Sequence, residues 1–219
     1  LTRDAGNWHC TGCGRKRPET VWELRWEDGV GTAISNAGHE LDLSGLQLPG
    51  RFNASNATLA IAVCEQLGLD LEESVKRMCE VTAVSGRYAI VDVGATRLRL
   101  LLAKNPAGWT ELIDVMPAAP APVIVSINSN AADGRDPSWL WDVPFERLRG
   151  RTVIASGDRR RDLAVRLLHA DVDHVVIEDP YAPDAQLPPQ ARELDVIDNA
   201  ATYTAFHELR TRAQREAQA

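Results

Sequence analysis

Apolar residues change their spacing partway along the chain. Thr20-Val-Trp-Glu-Leu-Arg-Trp26 and Leu41-Asp-Leu-Ser-Gly-Leu-Gln-Leu48 keep a two-residue period, with a turn signal at Asp28-Gly29, and predict short strands across 19–48. After the Pro49-Gly50 turn the period lengthens. Leu59, Ala60, Val63 and Leu67 share one face of a helix that Asn53 or Ser55 can cap and Gly68 stops. Leu71, Val75, Met78 and Cys79 predict a second helix, over 71–83.

From Arg87 onward strands and helices alternate. Strands are expected at 88–93 and 97–103, joined at Gly94-Ala95, then a helix at 107–115 and a Pro/Ala connection over 117–122. The run Val123-Ile-Val-Ser-Ile127 reads as a buried parallel strand. A helix from Trp139, interrupted by Pro144, follows it. A strand at 151–155, a helix at 159–169, a strand at 174–178, a proline-rich loop, a strand at 193–197 and a helix at 201–217 complete the chain. This order predicts an α/β fold with a doubly wound, Rossmann-like sheet in the C-terminal portion. The domain boundary is expected near Gly86-Arg87, dividing the chain into 1–86 and 87–219.

Composition narrows the function classes. With 24 basic against 31 acidic residues the formal charge is −7, and no basic stripe stands out, which argues against a nucleic-acid backbone binder. No apolar run is long enough to predict a transmembrane segment. The sequence shows no basic-then-apolar leader, so a cytoplasmic location is the default expectation. The chain opens at Leu1 in what reads as a loop, which suggests part of a longer protein.

Five segments carry candidate chemistry. Cys10 and Cys13 in Trp8-His-Cys-Thr-Gly-Cys-Gly14 form a knuckle suited to a structural zinc ribbon, but two thiolates leave two vacancies in a tetrahedral set. Cys64 and Cys79 fall in helical patterns and read as small apolar packing residues. In Gly50-Arg-Phe-Asn-Ala-Ser-Asn-Ala57, Asn53 and Asn56 could face one ligand at a helix start, or simply cap it. Lys104 and Asn105 close a buried strand just before Pro106 starts a helix, a place that favours anions. The loop from Asn128 to Asp142 follows a strand's carboxyl end, where open α/β sheets place their chemistry, and holds three carboxylates, an arginine and two tryptophans. In it, Asp136 before Pro137 can cap a helix, whereas Asp133 before Gly134 has less structural reason to be there. Trp139 and Trp141 read as partner anchors or as packing. Arg159-Arg-Arg161 opens a helix and could meet a phosphate or an acidic partner surface, but reads first as a solvated helix start.

Ala103-Lys-Asn-Pro106 resembles the Ala-His-Asn-Pro signature of the Mur peptide ligases. Joined to Asp133-Gly-Arg-Asp-Pro-Ser-Trp-Leu-Trp-Asp142, it is similar to the MurT family. Weaker matches run in order from the Cys-x-x-Cys-Gly knuckle through 50–56, Gly86-Arg87 and Tyr203-Thr-Ala-Phe206. The resemblance implies the end of a Mur ligase central (ATPase) domain over 1–86 and a MurT-type C-terminal domain over 87–219. It implies ATP-dependent activation, with Mg, of the D-glutamate carboxyl of the lipid II stem peptide, and amidation by ammonia from a GatD-like class I glutaminase subunit. Residue by residue, it puts Asn53 and Asn56 near the adenine, and Arg87, Lys104 and Asn105 near the phosphates or the activated carboxyl. Asp133 or Asp136 would complete the glutaminase Cys–His pair as its acid. The family's acid before the Asn-Pro signature is replaced here by Leu101-Leu102, and no Gly-Lys-Thr/Ser phosphate loop is present, so ATP would be bound mainly outside this chain. A non-catalytic Rossmann-like binding or scaffolding module is the competing expectation.

Overall fold

A computed structural model describes residues 2–4, 7–82, 87–93, 96–179, 189–192 and 194–217. The expected Gly94-Ala95 turn, Gly86 at the expected boundary, and the proline-rich segment 180–188 lie outside the described residues. The chain divides into two compact units, residues 1–47 with 51–80, and residues 48–50 with 81–219.

In the first unit, β1 (Thr2–Asp4) and β2 (Asn7–His9) pair as a hairpin, and β3 (Trp22–Glu27), β4 (Val30–Ser35) and β5 (Glu40–Asp42) form an antiparallel sheet in that order. Helices α1 (Arg51–Gln66) and α2 (Leu71–Cys79) follow. Helix α1 starts directly after Gly50, whose φ of 96° turns the chain, so Asn53 and Ser55 lie inside the helix rather than at its N-cap position. Asp70 caps α2 by accepting from the Glu73 amide at 2.8 Å. The apolar period of α1 was legible but its phase was not. Ala54, Ala57, Thr58 and Ile61 are buried, while Leu59, Val63 and Leu67 are exposed. The small face wins because a Cβ on Gly31 would already stand 3.0 Å from the Ala54 methyl, an approach that a leucine there would forbid.

The second unit is built on a six-stranded sheet of β6 (Tyr88–Val93), β7 (Thr96–Leu102), β8 (Val123–Ser126), β9 (Val153–Ser156), β10 (His174–Val176) and β11 (Ile197–Ala201). The spatial order is β10-β9-β8-β11-β7-β6, parallel throughout except for the antiparallel edge strand β6. Helix α3 (Pro106–Val115), two 3-10 turns (Ser138–Asp142 and Phe145–Leu148) and helix α4 (Arg160–His169) connect strands that advance in one direction, so right-handed crossovers put them on one face. A short α5 (Pro189–Arg192) precedes β11, and α6 (Tyr203–Glu216) closes the chain. Phe206 and Leu209 of α6 pack with Leu98, Leu100, Ile124, Ile154 and Ile197 on the other face.

Two expectations shift. The helix from Trp139 is a pair of 3-10 turns, held by Arg166, whose guanidinium donates to the carbonyls of Leu140 (3.2 Å) and Val143 (2.8 Å) and to the Glu146 carboxylate (2.7 Å). The last strand lies at 197–201 rather than 193–197. Asp198 and Asn199 look like loop residues in sequence, yet both are buried: Arg99 clasps Asp198 with two 2.6 Å bonds, and Ser126 donates to Asn199 Oδ1 at 3.0 Å.

Candidate functional site at the carboxyl edge of the sheet

Strand β8 ends at Ser126 in the middle of the parallel sheet, and its backbone continues into the acidic loop. Two partners fix the exit. Thr202, the N-cap residue of α6, accepts from the Asn128 amide at 2.9 Å and donates back to its carbonyl at 3.3 Å. The Asn128 Oδ1 accepts from the Asp158 amide at 2.9 Å, tying the exit of β8 to that of β9.

Because the Thr202 hydroxyl is occupied by Asn128, it does not cap its own helix. Asp133 does so from the loop. Its Oδ1 accepts from the Thr204 amide at 2.8 Å, and its Oδ2 from the Thr204 hydroxyl at 2.5 Å and the Asn130 amide at 3.1 Å. A carboxylate at the first turn of a helix satisfies an amide that has no intrahelical partner and meets the positive end of the helix dipole. Asp133 is therefore half-buried and does have a structural role, contrary to the expectation from sequence. Asp136 is exposed and accepts from the amide and the hydroxyl of Ser138, each at 2.9 Å, which starts the first 3-10 turn and holds its carboxyl below the usual aspartate range. A carboxylate has about four lone-pair sites, so each acid keeps at least one for another donor.

Lys104 reaches the same end of α6 from the exit of β7. Its ammonium lies 4.3 Å from the centre of the Tyr203 ring, which in turn contacts His207. Asn105 caps α3 through the Gly108 amide at 2.9 Å, with Pro106 at the first helical position. The Arg87 carbonyl accepts from the Leu102 amide at 3.0 Å, so Arg87, exposed at the start of β6, stands beside the end of β7. The structure thus gathers Lys104, Asp133 and Tyr203 around one helix terminus.

Asn53 and Asn56 sit in the first two turns of α1, half-buried and exposed. Cys10 and Cys13 stand on a turn closed by the Gly14 amide donating to the Cys10 carbonyl at 2.9 Å. Backbone amides of Cys13 and Gly12 and the Cys13 side chain lower the Cys10 thiol pKa, which suits a metal-binding thiolate. They supply half of a tetrahedral set; among the described residues no third His, Cys, Asp or Glu joins them. Cys64 and Cys79 are half-buried, and burial raises the Cys79 thiol pKa.

The two tryptophans of the loop part company. Trp139 is half-buried and stacks on buried Trp109 with ring centres 6.1 Å apart, so it packs. Trp141 is 55% exposed, beside His169 and Arg166. Asn128, Thr202 and Thr204 were missed from sequence. Placing the last strand four residues early hid Thr202 and Thr204, which would otherwise have read as a strand exit opening a helix.

Residues 102–206 match the family model described as MurT ligase C-terminal. The chain is 34% identical over 167 residues to the Streptococcus pneumoniae protein named lipid II isoglutaminyl synthase (glutamine-hydrolyzing) subunit MurT, covering 74% of this chain and 37% of that protein. It is also 34% identical over 178 residues to the Staphylococcus aureus protein of the same name, covering 78% and 40%. The chain therefore spans about two fifths of the length of these curated relatives. Among solved structures, the ligase MurC of Thermotoga maritima has a TM-score of 0.60 at 15% identity, covering 90% of this chain and 46% of that one. Folylpolyglutamate synthase of the same organism has a TM-score of 0.56 at 18% identity, covering 89% and 46%. These likenesses show a Mur ligase fold. With the C-terminal family model on the sheet that carries the acidic loop and sequence identity across most of the chain, the chain carries a MurT-type C-terminal domain and is similar to the C-terminal portion of MurT proteins.

Proposed function

We propose that this chain is the C-terminal part of the ligase subunit of a glutamine-hydrolysing lipid II isoglutaminyl synthase. In that role the loop 128–142 docks a GatD-like class I glutaminase and presents an acid to its Cys–His pair. The supporting observation is Asp133, tied to α6 through Thr204 and to its own loop through Asn130, with lone-pair capacity remaining. An acid that orients an imidazole must itself be held in place, usually by burial and hydrogen bonds. Asp133 meets that requirement better than exposed Asp136, so the preference for Asp133 stands on its fixed position. It acts as a positioning residue: it sets the tautomer of the partner's histidine, which then takes the proton of the cysteine thiol. Ammonia freed from glutamine amidates the D-glutamate carboxyl of the lipid II stem peptide.

That carboxyl has to be activated first, because a carboxylate is a poor electrophile, and ATP with Mg supplies the activation. Lys104 rests over Tyr203, Asn105 is occupied in capping α3, and no Gly-Lys-Thr/Ser loop is present. No activation step is assigned to them. Zinc, if held at Cys10 and Cys13, would be structural and need two further ligands. Among the described residues no helix is long and apolar enough to cross a membrane, which fits catalysis from the cytoplasm at the inner membrane face.

The test uses the full-length protein with its glutaminase, comparing Asp133→Asn with Asp136→Asn. Asp133→Asn should lower glutamine-dependent amidation of lipid II by about 10²–10⁴-fold, while added ammonium salts still support the reaction. Asp136→Asn should retain both activities. Loss confined to Asp136→Asn would transfer the role to that residue, and full glutamine-dependent activity in both variants would remove it from the loop.

A further inference from the structure

The two oxygens of Asp133 are not held alike. Oδ1 accepts from the Thr204 amide at 2.8 Å, whereas Oδ2 accepts from both the Thr204 hydroxyl at 2.5 Å and the Asn130 amide at 3.1 Å. A carboxylate oxygen offers about two lone-pair sites, so Oδ2 is filled and a site on Oδ1 stays open. Both oxygens are gripped by Thr204, whose backbone is set in the first turn of α6. A grip on both oxygens stops the carboxylate from turning about its Cβ–Cγ bond and gives the open lone pair one direction.

The Thr204 hydroxyl is itself directed. Such a group can donate or accept, and its proton turns to suit its neighbours. Asn130 Nδ2 reaches Thr204 Oγ1 at 3.2 Å and Asp158 Oδ2 at 3.4 Å. The Asp158 carboxylate requires the amide nitrogen there, because the amide oxygen would face it with two acceptors and no proton. With a donor already on its oxygen, the hydroxyl keeps its proton for Asp133. Donation therefore runs in one order, from Asn130 through Thr204 to Asp133. Capping of α6 does not call for this hydroxyl, since the Thr204 amide is satisfied by Oδ1 and any residue at 204 except proline would offer that amide.

We infer, resting on the reading of Asp133 as the glutaminase acid, that Thr204 is its positioning residue and that the partner's imidazole meets Oδ1. An imidazole N–H arriving at Oδ1 finds a lone pair already aimed, whereas at Oδ2 it would have to displace an existing bond. Thr204 acts through the acid and not on the substrate. Its hydroxyl matters because a misplacement of about 1 Å in a catalytic array can cost about 10²-fold in rate.

The test is a double-mutant cycle on the full-length protein with its glutaminase. Thr204→Val keeps the amide and the side-chain shape but removes the hydroxyl. It should lower glutamine-dependent amidation by about ten- to a hundredfold, the usual range for losing a hydrogen bond to a charged group. Amidation supported by added ammonium salts should not change, and Thr204→Ser should restore the glutamine-dependent rate. In the Asp133→Asn background Thr204→Val should cause no further loss, because a residue that acts through the acid has nothing left to position. An unchanged unfolding midpoint checks that the variants fold. Full glutamine-dependent activity in Thr204→Val beside a damaged Asp133→Asn would overturn the role of Thr204 alone. So would an equal further loss in the Asp133→Asn background, or a matching fall in the ammonium-supported rate. Full activity in Asp133→Asn would instead remove the acid itself, and the role of Thr204 with it.

Discussion

Gly157 holds the carboxyl edge together, and its replacement by alanine tests that geometry. Its φ is 87°, and a Cβ there would stand 2.4 Å from the Ile127 carbonyl oxygen and 2.8 Å from Asn128 Oδ1. Both oxygens are already engaged: the first accepts from the Arg159 amide at 2.8 Å and the second from the Asp158 amide at 2.9 Å. They cannot retreat without giving up those bonds. Left-handed backbone in a non-glycine residue costs roughly 1–2 kcal/mol. Weakening one or two hydrogen bonds adds roughly 0.5–1.5 kcal/mol each. Gly157→Ala should therefore destabilise the protein by roughly 1.5–5 kcal/mol. Gly134→Ala is the control, since Gly134 has a φ of 91° but nothing within 4 Å of the added Cβ, so it should show only the backbone share of roughly 1–2 kcal/mol. Urea unfolding followed by tryptophan fluorescence measures both. If the two variants lose the same stability, the crowding between the exits of β8 and β9 is not what the distances imply.

Three further outcomes follow from single side chains. Trp109→Ala should cost about 3–5 kcal/mol, because the ring is fully buried, whereas Trp141→Ala at an exposed site should stay within about 0.5 kcal/mol; thermal unfolding compares them. Asp136 should titrate below a free aspartate, and Ser138→Ala should return it towards normal in an NMR pH titration. Since the folded pKa is the lower one, the stabilisation is present above the unfolded value of about 3.9 and fades as pH falls through the folded value. Arg166→Met should cost roughly 2–3 kcal/mol in urea unfolding, since it strands the Leu140 and Val143 carbonyls and the half-exposed Glu146 carboxylate.

Asp133 shows why the site was only partly readable. An aspartate before a glycine in an acid-rich loop looked free for chemistry, because local sequence cannot reveal that Thr204, 71 residues later, has an unfilled amide. Asp136 and Ser138 are two residues apart, so that local turn was readable in advance, although Pro137 and not Asp136 stands at the N-cap of the first 3-10 turn. Lys104 was correctly set at a strand exit by pattern, but its Tyr203 neighbour comes from the far end of the chain.

The sequence by itself determined the periods: alternating strands, amphipathic helices, and a parallel core whose strands are apolar on both faces. Periodicity and short-range turn chemistry arise from neighbours along the chain, and so they survive without coordinates. Only the tertiary structure decided the phase of α1, the position of β11 and the partners of Asp133. Those choices depend on which distant surface comes close enough to exclude water and supply a hydrogen bond: the Gly31 gap that admits Ala54, and the Arg99 guanidinium that makes Asp198 acceptable inside a sheet.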